Sequence, residues 1–148
     1  MCQNTIPQSL YSPLVLVGEI RLIKLQPGSA GSDVHCILQH AKLSNQPSNR
    51  PQYEALSYEW GPQTCLQTIR INDTIQQVRE NLWSALRHLR LESEPRLLWI
   101  DALCINQEDI LERNQQVNQM GVIYSQARRV VVWLGQQNSS STITFSLL

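Results

Sequence analysis

The stretch "LLWIDALCINQEDILERNQQVNQMGVIYSQARRVVVWLG", Leu97 to Gly135, decides the fold of this chain. It opens on an apolar run that ends at Ile100 and closes on a second, Arg129 to Gly135. Continuous apolar runs of this kind are typical of strands that are buried on both faces of a sheet. Apolar side chains between the runs recur at helical spacing and predict the inward face of a helix: Ile110, Val117, Met120, Tyr124 and Ala127. Strand, helix and strand predict a right-handed crossover with parallel strands, and therefore an α/β fold.

Two further strands are predicted near the N-terminus. Glu19 to Leu25 alternates polar and apolar side chains and stops at a cluster of Pro, Gly and Ser. Val34 to Leu43 is its expected partner, and a loop with two prolines follows it. Together they predict an N-terminal antiparallel hairpin that leads into, or edges, a larger sheet.

The middle of the chain predicts three more strands and a helix. Tyr53 to Trp60 has the pattern of a strand that Gly61 ends, and Thr68 to Val78 that of two short strands joined at Asn72-Asp73. Asn81 is the predicted N-cap of the helix that follows. The apolar stripe of this helix has one-sided spacing and comprises Leu82, Ala85, Leu86 and Leu89.

Length and composition predict one domain. The 148 residues, 42% of them hydrophobic, are enough for a single core and too few to argue for two. We expect an N-terminal extension over residues 1–17, the folded domain over 18–135, and a linker or truncated C-terminal segment over 136–148. The last segment is rich in Gln, Asn and Ser and does not complete another strand-helix unit.

Charge and cysteine content exclude several classes of function. Twelve basic and twelve acidic side chains cancel without a basic run, so neither nucleic acid nor a membrane surface is an expected partner. The four cysteines form no C-x-x-C pair, which argues against a zinc site and against a disulfide scaffold. No apolar run reaches membrane-spanning length. We therefore expect free thiols, no metal and a cytoplasmic location.

Polar and aromatic side chains follow three of the predicted strands, at residues 57–61, 101–106 and 133–135. In open parallel sheets, ligands bind beyond the carboxyl ends of the strands. If these strands are neighbours, the three ends share one rim. Residue types and spacing thus predict a cleft, but they predict no particular reaction.

Several rim residues have a structural alternative. Asp109 and Glu112 have the spacing of a capping pair, although a glutamate in a first helical turn also suits proton transfer or stabilisation of a cation. Asp101 fits a loop cap and a ligand contact equally well. Trp60 fits stacking on a planar ligand and closure of the core, whereas the other three tryptophans fit packing: Trp83, Trp99 and Trp133.

Three segments together resemble the fungal heterokaryon incompatibility (HET) domain. They are "YEALSYEWG" from Tyr53, "NLWSALRHLR" from Asn81, and the stretch from Leu98 to Gly135. The resemblance covers residues 53–135 and makes 18–135 the predicted HET domain. The side chains that match its motifs are the predicted rim or ligand-binding residues: Tyr58, Trp60, Gly61, Asp101, Cys104, Asn106 and Gln107.

The resemblance implies a role in fungal self/non-self recognition and programmed cell death. It also implies a distant similarity to TIR domains, which are flavodoxin-like folds with a mostly parallel sheet flanked by helices. Some TIR domains cleave NAD with a glutamate near the strand ends. The position after Gly135 that would correspond to it holds glutamine here, so Glu112 or Glu59 becomes the predicted catalytic residue, with NAD as a possible substrate and no bound cofactor.

Three functions follow as hypotheses. The first is a module that acts chiefly by self-association or by binding protein partners. The second is a TIR-like NAD glycohydrolase that uses a rim glutamate. The third is a truncated, inactive copy.

Overall fold

The computed structural model describes residues 7–64, 67–135 and 142–145. The strands within these ranges are β1 Glu19–Leu25, β2 His35–Lys42, β3 Glu54–Tyr58, β4 Gln67–Ile71, β5 Thr74–Val78, β6 Arg96–Trp99, β7 Arg129–Trp133 and β8 Thr142–Phe145. The α-helices are α1 Glu80–Leu89, α2 Asp101–Cys104 and α3 Ile110–Gln126. Two short 3-10 helices are Gln8–Leu10, whose Leu10 packs against the core, and Pro47–Asn49, which has no buried residue.

All eight strands belong to one sheet in the order β5-β4-β2-β1-β6-β3-β7-β8. The pairs β2–β4, β3–β6 and β3–β7 are parallel. The pairs β1–β2, β1–β6, β4–β5 and β7–β8 are antiparallel. The α/β class is confirmed, but the sheet is mixed, and the prediction of a mostly parallel sheet is wrong.

Two of the four antiparallel pairs come from the position of β1, and the other two are β4–β5 and β7–β8. Strand β1 pairs with β2 on one side and with β6 on the other, where Ile23 lies opposite Leu98. β1 and β2 thus stand in the middle of the sheet, and β1 is buried along most of its length. Non-local pairing of this kind depends on the whole sheet, so the local alternation of side chains does not reveal it.

The crossover from β6 through α2 and α3 to β7 places the site. Both strands are parallel to β3 and flank it, so the crossover passes over one strand. The carboxyl ends of β6, β3 and β7 consequently lie at the same edge of the sheet. This edge is the rim.

Helix α1 packs as predicted but begins differently. Its stripe is buried and comprises Leu82, Ala85, Leu86 and Leu89. The N-cap is Arg79, and no side chain caps this end of the helix. Asn81 lies inside the helix, where its Nδ2 donates to the carbonyl of Glu59 at 3.0 Å, so its predicted role as a cap is wrong.

Helix α3 presents only part of its predicted face to the core. Ala127 is buried and Met120 and Tyr124 pack against the core, as predicted. Ile110 and Val117 are 62% and 52% exposed. The buried residues of the helix are Glu112, Gln116 and Ile123. The helix is turned in this way because Glu112 meets the buried Arg21 of β1, and a buried charge requires a partner.

The remaining predictions on packing concern tryptophan and cysteine. Trp99 and Trp133 are buried and Trp83 packs partly against the core, which confirms their packing role. Cys36 and Cys104 are buried and free, whereas Cys2 and Cys65 lie outside the described residues. Most of the predicted C-terminal linker also lies outside them, although 142–145 form β8 against β7.

Within the ranges that the structure describes, no helix is both long enough and apolar enough to cross a bilayer.

Candidate functional site

Asp101 is the centre of the rim. It follows β6 as the first residue of α2, and its Oδ1 accepts hydrogen bonds from Trp60 Nε1 at 3.3 Å and from the backbone N–H of Ala102 at 2.8 Å. Burial raises the pKa of this carboxyl, although both hydrogen bonds oppose the rise. The carboxyl of Asp101 is therefore partly desolvated, and its hydrogen bond with Trp60 connects the end of β6 to the end of β3.

Two tyrosines extend this cluster. Burial raises the pKa of Tyr58, and the charge of Asp101 raises it further. The same two causes, in the same order, raise the pKa of Tyr124 to about 12. Tyr124 donates its hydroxyl to the carbonyl of Leu56 at 3.4 Å and packs edge-on against Trp99. Both phenols are protonated at neutral pH, so Asp101 is the acidic group of this aromatic cluster.

Arg79 and Gly61 join the end of β3 to the start of α1. The Arg79 guanidinium lies 5.0 Å from the centre of the Trp60 ring, and its Nη1 donates to the carbonyl of Gly61 at 3.3 Å. Gly61 has a φ of 74°, and a Cβ at this position would lie 2.6 Å from Asn81 Nδ2. The positive φ favours glycine, and a Cβ would in addition displace the Asn81 amide.

A cavity of about 200 Å³ opens between the ends of β3 and β7. Its walls come from three chain segments and comprise Ser57, Tyr58, Glu59, Asn81, Val132, Trp133, Leu134 and Gly135. Glu59 is the carboxylate in this lining and is exposed to solvent. The structure therefore brings Tyr58 and Glu59 to the cavity, with the Trp60–Asp101 pair directly behind the same strand ends.

Cys104 does not belong to the accessible rim. It is fully buried, and burial raises the pKa of its thiol to about 12. Its Sγ accepts a hydrogen bond from the N–H of Ile100 at 3.3 Å. A protonated, enclosed thiol is neither a ligand contact nor a nucleophile, and the prediction of Cys104 as a rim residue is corrected.

Asn106 and Gln107 hold the loop between α2 and α3. The side chain of Asn106 accepts a hydrogen bond from the N–H of Glu108 at 3.3 Å. Gln107 Nε2 donates to the carbonyl of Asp101 at 2.9 Å. These contacts correspond to the loop-pinning alternative. Asp109 is the N-cap of α3, because its Oδ1 accepts from the N–H of Glu112 at 3.1 Å.

Glu112 makes a buried ion pair instead of the second half of a capping box. Its two oxygens accept from Arg21 Nη2 at 2.7 Å and Nη1 at 2.9 Å. The second oxygen also accepts from the N–H of Asn106 at 2.6 Å. A carboxylate that is committed in this way to a cation and a backbone amide is poorly placed for proton transfer or nucleophilic attack, so the geometry argues against catalysis by Glu112.

Arg21 organises a wider network that the sequence pattern concealed. It donates to the carbonyls of Ser12 at 2.8 Å and Cys104 at 3.3 Å, and it lies 4.7 Å from the centre of the Tyr11 ring. Tyr11 in turn donates its hydroxyl to the carbonyl of Leu103 at 2.9 Å. The only sequence signal was an arginine between two apolar residues, Ile20 and Leu22, on an alternating strand.

In the part of the chain that the structure describes, no group of three or more His, Cys, Asp or Glu side chains could hold a metal ion.

Fold and rim define a mixed α/β domain with an aromatic and acidic site at its parallel strand ends. Residues 53–147 match the family model described as Heterokaryon incompatibility protein (HET). The protein named "Heterokaryon incompatibility protein 6, OR allele" from Neurospora crassa is 41% identical over a region that covers 78% of this chain. No solved structure matches. The chain therefore belongs to the heterokaryon incompatibility (HET) family, and the resemblance read from its motifs is confirmed.

The chain spans 18% of the length of that relative.

Proposed function

We propose that this HET domain acts in fungal self/non-self recognition and programmed cell death chiefly by associating with further copies of itself through the outer face of α3. The outer face is defined by four aliphatic side chains that are between 46% and 77% exposed: Ile110, Leu111, Val117 and Val122. This exposed face is the observation that carries the proposal.

The chemistry of the outer face favours association with an identical surface. From Asn114 to Gln126 the helix contains no charged residue, whereas the solvent face of a surface helix is usually charged. Gly121 lies on this side of the helix, and a Cβ there would meet no atom within 4 Å. Between Asn114 and Gln126, two such faces can therefore approach each other without charge repulsion and without burying an unpaired charge. The exposed Arg113 lies beside Ile110 and Val117 at the N-terminal end of the face, where it can remain in contact with solvent.

The expected association is weak. Full burial of an aliphatic side chain is worth about 1.5–3 kcal/mol. The four side chains are already partly buried, so each contributes roughly 1 kcal/mol per copy. The total is comparable with the about 4–15 kcal/mol that association costs. Assembly should therefore depend steeply on concentration, as a response triggered by accumulation requires.

Sedimentation velocity over a range of concentrations tests the proposal. The wild-type chain is expected to associate as its concentration rises, and Val117→Asp is expected to remain monomeric. Ile75→Asp is the matched control, because Ile75 is 59% exposed on the edge strand β5 and lies opposite Arg70. A monomeric wild-type chain at every concentration, or equal effects of both substitutions, would count against the outer face.

The link to cell death needs a cellular readout. Expression of the domain in fungal cells is expected to kill them, and Val117→Asp is expected to abolish killing at equal protein levels while Ile75→Asp preserves it. Killing that continues with Val117→Asp would separate cell death from self-association.

The alternative function is a TIR-like NAD glycohydrolase. The observation that favours it is the exposed carboxylate of Glu59 at the cavity between the ends of β3 and β7. The parallel trio β6-β3-β7 is the part of the sheet that supports a TIR-like relation. A carboxylate at that place could stabilise the cation that forms as the nicotinamide–ribose bond breaks.

Nicotinamide release from NAD tests this alternative at concentrations where the chain is assembled. Glu59→Gln should abolish release if Glu59 supplies the charge, whereas Glu92→Gln, at an exposed carboxylate outside the cavity lining, should preserve it. Absence of release from the assembled wild-type chain excludes the hydrolase. Absence of both release and association would leave the inactive copy as the explanation.

A further inference from the structure

A groove runs along one flank of α3, beside the outer face. Two hollows of about 390 and 370 Å³ share Val17, Gly18 and Gln119 in their linings. One wall is formed by residues 14–19 and 42–45, and the other by α3 side chains from Gln115 to Gln126. We call this feature the α3 groove. Eleven helical steps of 1.5 Å give it a length of about 16 Å, which is the span of about five residues of extended chain.

The floor of the α3 groove contains two carboxamide oxygens without partners. Gln116 is only 3% exposed, and its Nε2 donates to the carbonyl of Glu19 at 3.4 Å. The Oε1 atoms of Gln116 and Gln119 are shielded from water, yet neither has a hydrogen-bond partner. Buried acceptors are rarely left in this state. The terminal torsion of glutamine is soft, so a small rotation presents either oxygen to a donor in the groove.

A third glutamine shows which donor suits this wall. Gln126 Oε1 accepts the backbone N–H of Ser44 at 3.0 Å. Ser44 belongs to the extended segment that follows β2 along the other wall. At its end, the α3 groove thus already holds a main-chain amide on a glutamine oxygen, and the same kind of oxygen is unoccupied at Gln119 and Gln116.

Spacing favours a peptide over a small molecule. Side chains three residues apart on a helix have Cβ atoms about 5–6 Å apart. Main-chain N–H groups on one edge of an extended peptide recur every second residue, about 6.7 Å apart. Gln116 and Gln119 can therefore meet two successive N–H groups of the same edge.

The upper walls select the side chains. Val15 and Val17 project into solvent on one side, where Val17 is 92% exposed, and Val122 stands on the other. The carboxylate of Glu19 is already engaged, because it accepts from the N–H of Val15 at 2.8 Å and pairs with His40 at 3.3 Å. The groove thus offers aliphatic contacts and amide acceptors, and the charged side chains of its lining are Glu19 and, at the end near β2, the exposed Lys42.

We propose that the α3 groove binds an extended, uncharged segment of a partner protein, with aliphatic side chains at alternate positions and its main-chain N–H groups on Gln116 and Gln119. The mode resembles strand addition to a sheet edge, except that a row of glutamine oxygens replaces the edge. It is distinct from self-association, which uses the outer face of α3, although Val122 borders both surfaces.

The test measures binding of three labelled, capped pentapeptides in which Thr alternates with Val, Ile or Leu. Fluorescence anisotropy is measured in the Val117→Asp background, so that failure of self-association does not affect the result. At least one peptide is expected to bind saturably. A version N-methylated at alternate residues on one edge should bind at least about fivefold more weakly, the effect of one lost hydrogen bond.

Matched variants locate the site. Gln119→Met keeps the length of the side chain, removes the acceptor and should weaken binding about fivefold, whereas Gln77→Met on the exposed side of β5 should leave it unchanged. Because Gln119 is only partly buried, this variant should fold normally, which circular dichroism checks. Absence of binding by all three peptides, or binding that is insensitive to both N-methylation and Gln119→Met, overturns the proposal.

Discussion

Glu112→Gln separates a structural carboxylate from a catalytic one. Arg21 is 1% exposed, and its charge is balanced by Glu112 at 2.7 and 2.9 Å. The variant keeps the shape of the side chain but leaves the guanidinium buried without a counter-charge. It also places an amide NH2 group next to hydrogen-bond donors. One of them is the backbone N–H of Asn106, which donates to the Glu112 carboxylate at 2.6 Å in the wild-type chain. Removal of one partner of a buried pair costs about 3–5 kcal/mol, against about 0–1 kcal/mol for a surface pair.

The assay is equilibrium unfolding in urea, followed by tryptophan fluorescence. With a slope of about 2 kcal/mol per molar urea, the midpoint of Glu112→Gln is expected to fall by about 2 M. Glu92→Gln, at an exposed position, is the control and should change the free energy of unfolding by less than about 0.5 kcal/mol. The reasoning is refuted if the free energies of unfolding of Glu112→Gln and the wild-type chain differ by less than about 1 kcal/mol, which corresponds to a midpoint shift of less than about 0.5 M urea.

A double variant tests whether the loss comes from the unpaired charge. Arg21→Met and Glu112→Leu are each expected to be costly alone, because each leaves one buried charge without its partner. Together they should cost clearly less than the sum of the two single changes, since no charge remains buried. The recovery should be incomplete, because the carbonyl of Ser12 still loses its donor. Strict additivity would contradict the account of the pair.

Three further predictions concern the rim and the buried thiols. Burial raises the pKa of Asp101 above its ordinary value of 3.8, so the folded state disfavours the ionised carboxylate relative to the unfolded state. Asp101→Asn should therefore be more stable than the wild-type chain at pH 7. It should lose this advantage as the pH falls through the raised pKa to below 3.8, which urea unfolding at several pH values measures. Gly61→Ala should lower the free energy of unfolding by about 1–2 kcal/mol because of the positive φ, as urea unfolding measures. It should also weaken the hydrogen bond from Asn81 to Glu59, which amide chemical shifts report. Cys104 and Cys36 are buried and their thiol pKa values are raised to about 12, so neither should react with iodoacetamide at pH 8 until the chain unfolds, as peptide mass spectrometry can determine.

The elements with continuous apolar runs or one-sided apolar spacing could be predicted from the sequence. β6, β7 and the stripe of α1 follow directly from runs or spacings of apolar residues. The capping position of Asp109 also follows from local spacing, because its partner lies three residues away. In each case the deciding interactions are local or depend only on hydrophobic burial.

The elements governed by a distant partner could not be predicted. The alternation around Arg21 suggested a half-buried strand, but β1 lies between β2 and β6 and is covered on both faces. Glu112 is separated from Arg21 by 91 positions, and the pair turns α3 so that Ile110 and Val117 face solvent. A periodicity rule assumes that apolar side chains determine the inward face, and a buried charge pair overrides it at Ile110 and Val117 but not in the last two turns of α3.

The sequence motifs also predicted only part of the candidate site. The motif residues Tyr58, Trp60, Gly61 and Asp101 meet at the strand ends, since parallel strands bring them there. Cys104 instead packs beneath the rim, because α2 is a single helical turn that directs it inward. Shared motif membership therefore did not distinguish an accessible side chain from a packing one.

Cross-linking at the outer face of α3 tests the central claim most directly. In a background with Cys2→Ser and Cys65→Ser, where the other native thiols are buried, Val117→Cys is treated with a short bismaleimide at increasing protein concentration. The account predicts a covalent dimer that forms efficiently with Val117→Cys and not with Ile75→Cys on β5. Equal cross-linking at both positions, or none at Val117→Cys, would contradict self-association through this face.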